Sequence, residues 1–309
     1  MKLSVIIPCM NEENNVVELY SKLSVTLKSV PHELLFIDDG STDKTLSKLK
    51  DIYSSDKKHV RVISFSRNFK KEAAIYAGII RSTGDFTCII DGDLQQNPNY
   101  LIEMLNFLKD NPDYDQVAMV MSKRNNGNII TRIGGKIFYR LIDIISDIHF
   151  VSGASDFRMF NNNVKNAIIS LTENNRFSKG IFSWVGFKTK YMEYKVEKRK
   201  SGKSKFNFKA NFSYAIEGIL GFSTKPLRIA TYLGLITSFI AFIYLIQILI
   251  QTLIMGIDAP GYASMMIVIL LMGGIQLITI GILGEYLAKN YMETKKRPIY
   301  IAKEEIGFK

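Results

Sequence analysis

From Leu3 to Met121, short apolar and β-branched runs alternate with longer stretches whose apolar positions recur every three or four residues. The short runs are Leu3–Ile7, Leu34–Ile37, Val60–Phe65, Phe86–Ile90 and Val117–Met121. Their near-continuous apolar character predicts strands buried on both faces. Val16, Leu19, Leu23 and Leu27 have helical spacing, as do Leu101, Met104, Leu105 and Leu108. Strand alternating with helix predicts an α/β fold, a mostly parallel sheet with helices on both faces.

The pattern changes towards the other end. No charged residue occurs from Ile229 to Ile257, nor from Ala259 to Gly284. Each stretch exceeds the ~20 apolar residues that cross ~30 Å of hydrocarbon as a helix. Two transmembrane helices, about 229–255 and 263–286, are therefore expected as a tight hairpin within 229–288; the alternative is a pair of buried core helices. Lys225 and Arg228 precede the first span, and Lys289, Lys295, Lys296 and Arg297 follow the second. The positive-inside rule then places both ends in the cytoplasm and makes the chain a multi-pass protein of the inner (plasma) membrane. Gln247, Gln251 and Gln276 should face the partner helix or a neighbouring subunit of a homo-oligomer. The expected organisation is a cytosolic domain over 1–210, a juxtamembrane segment over 211–228, the hairpin, and a cytosolic basic tail over 289–309.

Composition narrows the classes. The 309 residues include 40 Lys+Arg against 29 Asp+Glu, a net charge of +11, and 47% are hydrophobic, too apolar for a disordered chain. Two cysteines, Cys9 and Cys88, read as small buried residues and make no disulfide framework. His32, His59 and His149 are scattered, without metal-ligand spacing. The opening run Leu3–Pro8 is too short for a secretory leader, so the front of the chain is expected to stay in the cytoplasm.

The loops after the predicted strands are more informative. The first strand leads into Pro8-Cys9-Met10-Asn11-Glu12, the second into Asp38-Asp39-Gly40-Ser41-Thr42-Asp43, the third into Ser66-Arg67-Asn68 and the fourth into Asp91-Gly92-Asp93-Leu94-Gln95. In an open parallel sheet these carboxyl ends share one edge, where ligands bind. Asp91 and Asp93 suit a hard divalent cation that also takes water and phosphate oxygens, and the amide oxygen of Gln95 can add a ligand. Ser41, Thr42 or Asp43 is a natural helix cap, whereas Asp38 and Asp39 are free to accept an N–H from a nucleobase. Glu12 can complement a helix dipole.

The run Lys198-Arg199-Lys200-Ser201-Gly202-Lys203-Ser204-Lys205 is either a solvated charge run, a nucleic-acid patch or a phosphate grip at the bilayer surface. Its place shortly before the spans favours the last, with no nucleic-acid partner. Asn211–Phe222 and Ile129–Ile148 can be amphipathic interfacial helices or ordinary core-facing ones. Trp184, the one tryptophan, is either core or a platform for a sugar. An Asp–Arg structural pair is the plain reading of Asp156-Phe157-Arg158.

These residues resemble the inverting glycosyltransferases of family two, of GT-A fold, and more narrowly the polyprenyl-phosphate glycosyltransferases. The carriers are Val5-Ile6-Ile7-Pro8 with Asn11-Glu12, Ile37-Asp38-Asp39-Gly40-Ser41, Arg67-Asn68, Asp91-Gly92-Asp93-Leu94-Gln95 with Pro98, and Asp156-Phe157-Arg158. Lys179-Gly180, Trp184-Val185-Gly186-Phe187, Arg199-x-x-Gly202-x-Ser204-Lys205, Phe222-Ser223 and Pro226-Leu227-Arg228 continue the match, which covers essentially the whole chain. The resemblance implies a Rossmann-like GT-A domain whose nucleotide pocket is lined by Pro8, Met10, Asn11, Glu12, Ile37, Asp38, Asp39 and Arg67. It implies that Asp91, Gly92, Asp93 and Gln95 hold Mg²⁺ or Mn²⁺ and the diphosphate, and that Arg124, Arg199 and Lys205 contact phosphates of donor or acceptor. The family often has an aromatic residue where Met10 stands, and Asp-Ala-Asp where this chain has Asp91-Gly92-Asp93.

The implied reaction moves a hexose from a nucleotide-diphosphate sugar, UDP-glucose or a UDP-N-acetylhexosamine, to polyprenyl (undecaprenyl) phosphate. Asp93, Asp156, Arg199 and Lys205 are the candidate catalytic residues. The alternatives are a sugar nucleotidyltransferase, a processive polysaccharide synthase and a non-catalytic nucleotide-sugar scaffold. Met1–Asn15 lacks the glycine-rich loop of the first, and the chain lacks the Q-x-x-R-W motif of the second.

Overall fold

Each apolar run read as a strand forms one: β1 (Leu3–Cys9), β2 (His32–Asp38), β3 (Val60–Phe65), β4 (Phe86–Ile89) and β5 (Gln116–Met121). Helices α1 (Val16–Thr26), α2 (Thr45–Ser55), α3 (Lys71–Arg81) and α4 (Asn99–Asp110) lie between them. β6 (Ala154–Asn161), α5 (Asn162–Ser170), α6 (Ser178–Trp184) and β7 (Thr189–Tyr194) come next. The chain closes with α7 (Lys225–Met255), α8 (Tyr262–Thr294) and β8 (Ala302–Ile306). The computed structural model describes residues 1–122, 151, 153–197, 221–255 and 261–308. Arg124, Arg199 and Lys205, the run Lys198–Lys205, Ile129–Ile148 and residues 211–220 lie outside the described residues.

The strands form one sheet in the order β7-β5-β6-β4-β1-β2-β3-β8. Four neighbouring pairs are parallel, but β6 runs antiparallel to both β4 and β5, and β8 antiparallel to β3. Successive side chains of a strand enter opposite layers. Val5 and Ile7 pack with Leu19 and Leu23 of α1 and Leu101 and Leu105 of α4. Ile6 packs on the other face with Ala73, Ala74 and Ala77 of α3 and Val164 and Ile168 of α5. Fully buried side chains such as Phe36 and Ile6 contribute roughly 1.5–3 kcal/mol each by leaving water. The core therefore lies above and below β1, β2 and β4, and holds their ends in fixed positions.

α7 and α8 are long and apolar enough to cross a membrane, with mean hydropathy 2.1 over Lys225–Ile248 and 1.9 over Val268–Thr294. Almost none of that surface is buried, which sets them apart from core helices of a soluble protein. Gln247, Gln251 and Gln276 are exposed, so the partner helix of the hairpin does not cover them.

The hairpin is tied to the sheet domain at its base. Tyr286 donates its hydroxyl to Ser223 O at 2.6 Å, and Glu293 Oε1 accepts from Asn174 N at 2.8 Å and Asn175 N at 3.1 Å. The segment expected as a separate basic tail over 289–309 instead divides between the end of α8 and β8. β3 would otherwise be an open edge, and the alternating Ala302, Glu304 and Ile306 suit a strand that covers it. Tyr300 stacks on Phe65 with ring centroids 4.9 Å apart, and Arg81 donates to both oxygens of Glu305 at 2.8 and 2.7 Å.

Candidate active site

The carboxyl ends of β1, β2, β3 and β4 share one edge, and hydrogen bonds lock their loops together. Asn11 adopts a left-handed backbone, donates its N–H to Ser41 Oγ at 2.9 Å and accepts from Thr42 N at 2.9 Å. Glu12 donates its N–H to Thr45 Oγ1 at 2.8 Å, and its carboxylate accepts from Asn15 Nδ2 at 2.6 Å. None of the three candidate caps is the N-cap of α2: that position is Lys44, which has no side-chain cap bond, while Asp43, just before it, accepts from Thr45 N at 2.9 Å. Gly40 has φ +69, and a Cβ there would lie 2.5 Å from the carbonyl carbon of Arg67. The β2 and β3 loops can touch only with glycine at that place.

Within this frame the two acids after β2 separate in role. Asp38 is buried, accepting from Ser41 N at 3.2 Å and Ser64 Oγ at 2.8 Å. Those bonds build the loop. Asp39 donates its N–H to Cys9 O at 2.9 Å, and its carboxylate accepts from Phe69 N at 2.6 Å. Burial lifts its pKa to about 6, aided by Asp38 and opposed by the N–H groups of Phe69 and Lys70 and by Arg67. Ile37, expected to line the nucleotide pocket, is fully buried and packs in the sheet core with Ile6 and Ala74, because its strand position points into that layer. Pro8 and Met10 are partly exposed on the β1 tip. The Arg67 guanidinium lies 4.0 Å over the Phe69 ring and donates to Asn68 O at 3.0 Å.

The β4 loop lies directly beside β1, where a Cβ on Gly92 would come within 3.1 Å of Pro8 O. Asp93 Oδ1 accepts from Gln95 N at 3.1 Å. The amide of Gln95 donates to Glu197 O at 3.4 Å, and Glu197 N donates back to Gln95 O at 3.0 Å. Leu94 between them is buried with φ +61, a strained backbone for a branched side chain.

Antiparallel β6 brings a further acid to the same edge. Ile89 of β4 pairs with Arg158, so the chain beyond this pair carries Asp91 and Asp156 together. Between them stands Lys71, the first residue of α3, with Nζ 2.7 Å from Asp91 Oδ1 and 2.8 Å from Asp156 Oδ2. Burial pushes Asp156 upward, but Lys71, Lys179 and Arg158 outweigh it and hold its pKa at about 2. Its Oδ1 is buried without a hydrogen-bond partner among the described residues. Asp91 is raised by burial and by Asp156, against the pull of Lys71. Glu72, next to Lys71, accepts from the N–H of Ser178 at 2.8 Å and from its hydroxyl; burial and Asp156 lift it to about 7.

Sequence reasoning missed three members of this group, Lys71, Glu72 and Gln96. Lys71 is one basic residue among many, and only its place at the head of α3 distinguishes it. Gln96 is buried, accepts from Asp91 N at 2.9 Å and donates to Asp91 Oδ2 at 3.0 Å, which fixes that carboxylate. Trp184 is 59% exposed at the end of α6, so it is not a core residue. Among the described residues no three His, Cys, Asp or Glu side chains gather tightly enough to hold a metal by themselves. Two aspartates in sequence, with an unsatisfied buried carboxylate oxygen nearby, fit a hard ion that completes its shell with water and phosphate oxygens.

Comparison with known proteins places the chain in a family. The family described as glycosyl transferase family 2 matches residues 4–168, and the GtrB C-terminal hairpin matches 225–289. A prophage bactoprenol glucosyl transferase homolog of Escherichia coli is 41% identical over 305 residues, covering 98% of this chain and 99% of that one. An uncharacterized glycosyltransferase of Synechocystis, sll0501, is 37% identical, covering 99% and 96%. Glucosyl-3-phosphoglycerate synthase from Mycobacterium tuberculosis, solved with Mn²⁺, UDP and phosphoglyceric acid, superposes with a TM-score of 0.50 at 17% identity, over 71% of this chain and 76% of that one. That likeness concerns the GT-A fold alone. By sequence along its whole length this chain belongs to glycosyltransferase family 2, and it is a glycosyltransferase with a GtrB-type C-terminal hairpin.

Proposed function

We propose that this glycosyltransferase moves glucose from UDP-glucose to the phosphate of a polyprenyl (undecaprenyl) carrier at the cytoplasmic membrane face, with inversion at the anomeric carbon. The observation that carries the reading is the acidic group Asp91, Asp93 and Asp156 on a sheet whose last strand comes directly after an apolar helix able to span the bilayer. Relatives called bactoprenol glucosyl transferase, alike over the full length, support the choice of sugar and carrier.

An acceptor phosphate monoester, with a second pKa near ~6, is largely dianionic at neutral pH. Its oxygen needs placing rather than deprotonation. Asp156 fits that requirement: held at about 2, it stays charged and is a poor proton acceptor, suited to orienting a sugar hydroxyl or a lysine. The acceptor oxygen forms the new bond to the anomeric carbon as the bond to the diphosphate breaks, and the nucleotide diphosphate leaves with the electron pair. Asp91 and Asp93, with the side-chain amide oxygen of Gln95, would hold Mg²⁺ or Mn²⁺, which would neutralise charge developing on the leaving diphosphate. Asp39 would accept an N–H of the base, beside Pro8, Met10, Asn11, Glu12 and Arg67. Arg199 and Lys205 would bind phosphate; Glu197, just before that basic run, is bonded to Gln95 and Asn97.

β8 also bears on orientation. A strand that comes after both spans and pairs with β3 supports a hairpin entering and leaving on the catalytic side. Mass spectrometry of lipid products, after offering UDP-glucose, UDP-N-acetylglucosamine and other nucleotide sugars with polyprenyl phosphate, tests the reading. A hexosyl phospholipid formed only with UDP-glucose is expected. UDP released without any glycolipid would overturn it.

A further inference from the structure

We propose that Lys71 is a built-in counter-ion of the Asp91–Asp156 pair, and that a divalent ion must displace its ammonium from Asp91 Oδ1 in order to bind. The inference deepens the metal reading above and rests on it. Lys71 Nζ lies 2.7 Å from Asp91 Oδ1 and 2.8 Å from Asp156 Oδ2, at full hydrogen-bond distance from both. The other oxygen of Asp91 receives the Gln96 amide at 3.0 Å, and the Asp91 N–H is held by the same side chain at 2.9 Å. Asp91 therefore cannot turn to offer a fresh oxygen without breaking the Gln96 contacts. An ion that binds at Oδ1 therefore meets the Lys71 ammonium on the same oxygen.

The backbone on either side keeps the ammonium in place. Lys70 has φ +75, an uncommon conformation for a residue with a side chain, and it immediately precedes the first turn of α3. Glu72 is anchored on Ser178 of α6. Lys71 is thus aimed by its neighbours, with both carboxylates beside its ammonium. An ammonium and a divalent cation on one carboxylate oxygen repel each other strongly. Binding is then an exchange: the ion takes Asp91 Oδ1, and Lys71 remains with Asp156, whose unpartnered Oδ1 can receive a second N–H.

The exchange makes a prediction opposite in sign to a supporting role. Free Mn²⁺ is counted by electron paramagnetic resonance during titration of the full chain in detergent, without donor or lipid. Lys71→Met should bind Mn²⁺ about tenfold tighter or more than the unaltered protein, whereas Lys71→Arg, which keeps the charge, should not. Equal or weaker binding by Lys71→Met would overturn the proposal while leaving the metal reading intact. No Mn²⁺ binding by any of the proteins would overturn both. Should Lys71→Met fail to fold, reductive methylation of the unaltered protein followed by mass spectrometry decides the matter. Labelling of Lys71 should become several-fold faster when Mn²⁺ is added, and an unchanged rate would sink the exchange.

Discussion

The two edges of the sheet carry similar charged groups arranged to different ends. At the edge away from the site, Glu33 is nearly buried and fully paired: Oε1 accepts from Ser4 Oγ at 2.6 Å and Thr83 N at 2.7 Å, and Oε2 from Lys2 Nζ at 2.8 Å. Burial pushes its pKa up, yet those partners more than offset it and the net shift is downward. At the carboxyl edge, Asp156 Oδ1 has no partner among the described residues, Asp39 is lifted to about 6 and Glu72 to about 7, and Lys70 and Leu94 have left-handed backbone. One network is satisfied and closes the fold. The other is held short of satisfaction, as expected of groups whose partners arrive with a substrate.

The largest test exchanges the two edges. Asp93→Asn should lower transfer roughly 10²-fold or more, as loss of a group stabilising the leaving charge does, with the unfolding temperature in detergent nearly unchanged. Glu33→Ala should do the reverse. It strands Lys2, Ser4 and Thr83; because Lys2 is partly exposed, the loss is about 2 kcal/mol, or roughly 4–8 °C in Tm, with kcat retained. A Glu33 variant that lost transfer while keeping its Tm would erase the distinction between the edges.

Gly40→Ala should sit between these extremes. Its positive φ costs an alanine roughly 1–2 kcal/mol, and the new Cβ would press on the Arg67 backbone. Both stability and UDP affinity should fall, because the loop carrying Asp39 is the part displaced. Calorimetric titration with UDP beside a thermal melt separates the two effects, and an unshifted affinity would remove Asp39 from the nucleotide site.

The pH dependence of the edges should differ in sign. Glu33 is lowered on folding, so its contribution is present above its unfolded pKa and is lost as pH falls through the folded one. Asp39 is raised from 3.8 to about 6, so the folded state holds the extra proton and stability declines as pH rises across that window. Donor binding should move the other way, strengthening as Asp39 ionises near pH 6. Melts and UDP titrations from pH 4 to 8 should show both trends, and Asp39→Asn should flatten them. A UDP affinity independent of pH in the unaltered protein would count against Asp39 as the base acceptor.

The same contrast explains how much can be read from residues alone. Strands β1 to β5 are legible because their apolar runs are local and buried on both faces. Asp91 and Asp93 stand out because they come directly after such a run. Asp156 carries no physical signal, because its place depends on β6 running antiparallel to β4, a strand far from it in sequence. Lys71 gains its bridging place only when that pairing closes, whereas Gln96 acts within the β4 loop, five residues from Asp91. Ile37 misleads because adjacent positions on a strand face opposite ways, and its side chain belongs to the core. β8, with Lys303, Glu304 and Glu305 among its five residues, looks like a solvated tail until β3 offers it an edge.

That edge yields the smallest expected effect. β8 is held to β3 by backbone pairing and by Tyr300 stacked on Phe65, whereas Arg81–Glu305 is a partly exposed ion pair. Exposed pairs contribute about 0–1 kcal/mol because water screens them and long side chains lose freedom. Arg81→Ala should therefore lower Tm by no more than ~2 °C and leave transfer unchanged. Tyr300→Ala should cost more, since it uncovers Phe65 next to the β3 loop that carries Arg67. Were Arg81→Ala the more damaging of the two, charge rather than strand pairing would hold the end of the chain to the catalytic sheet.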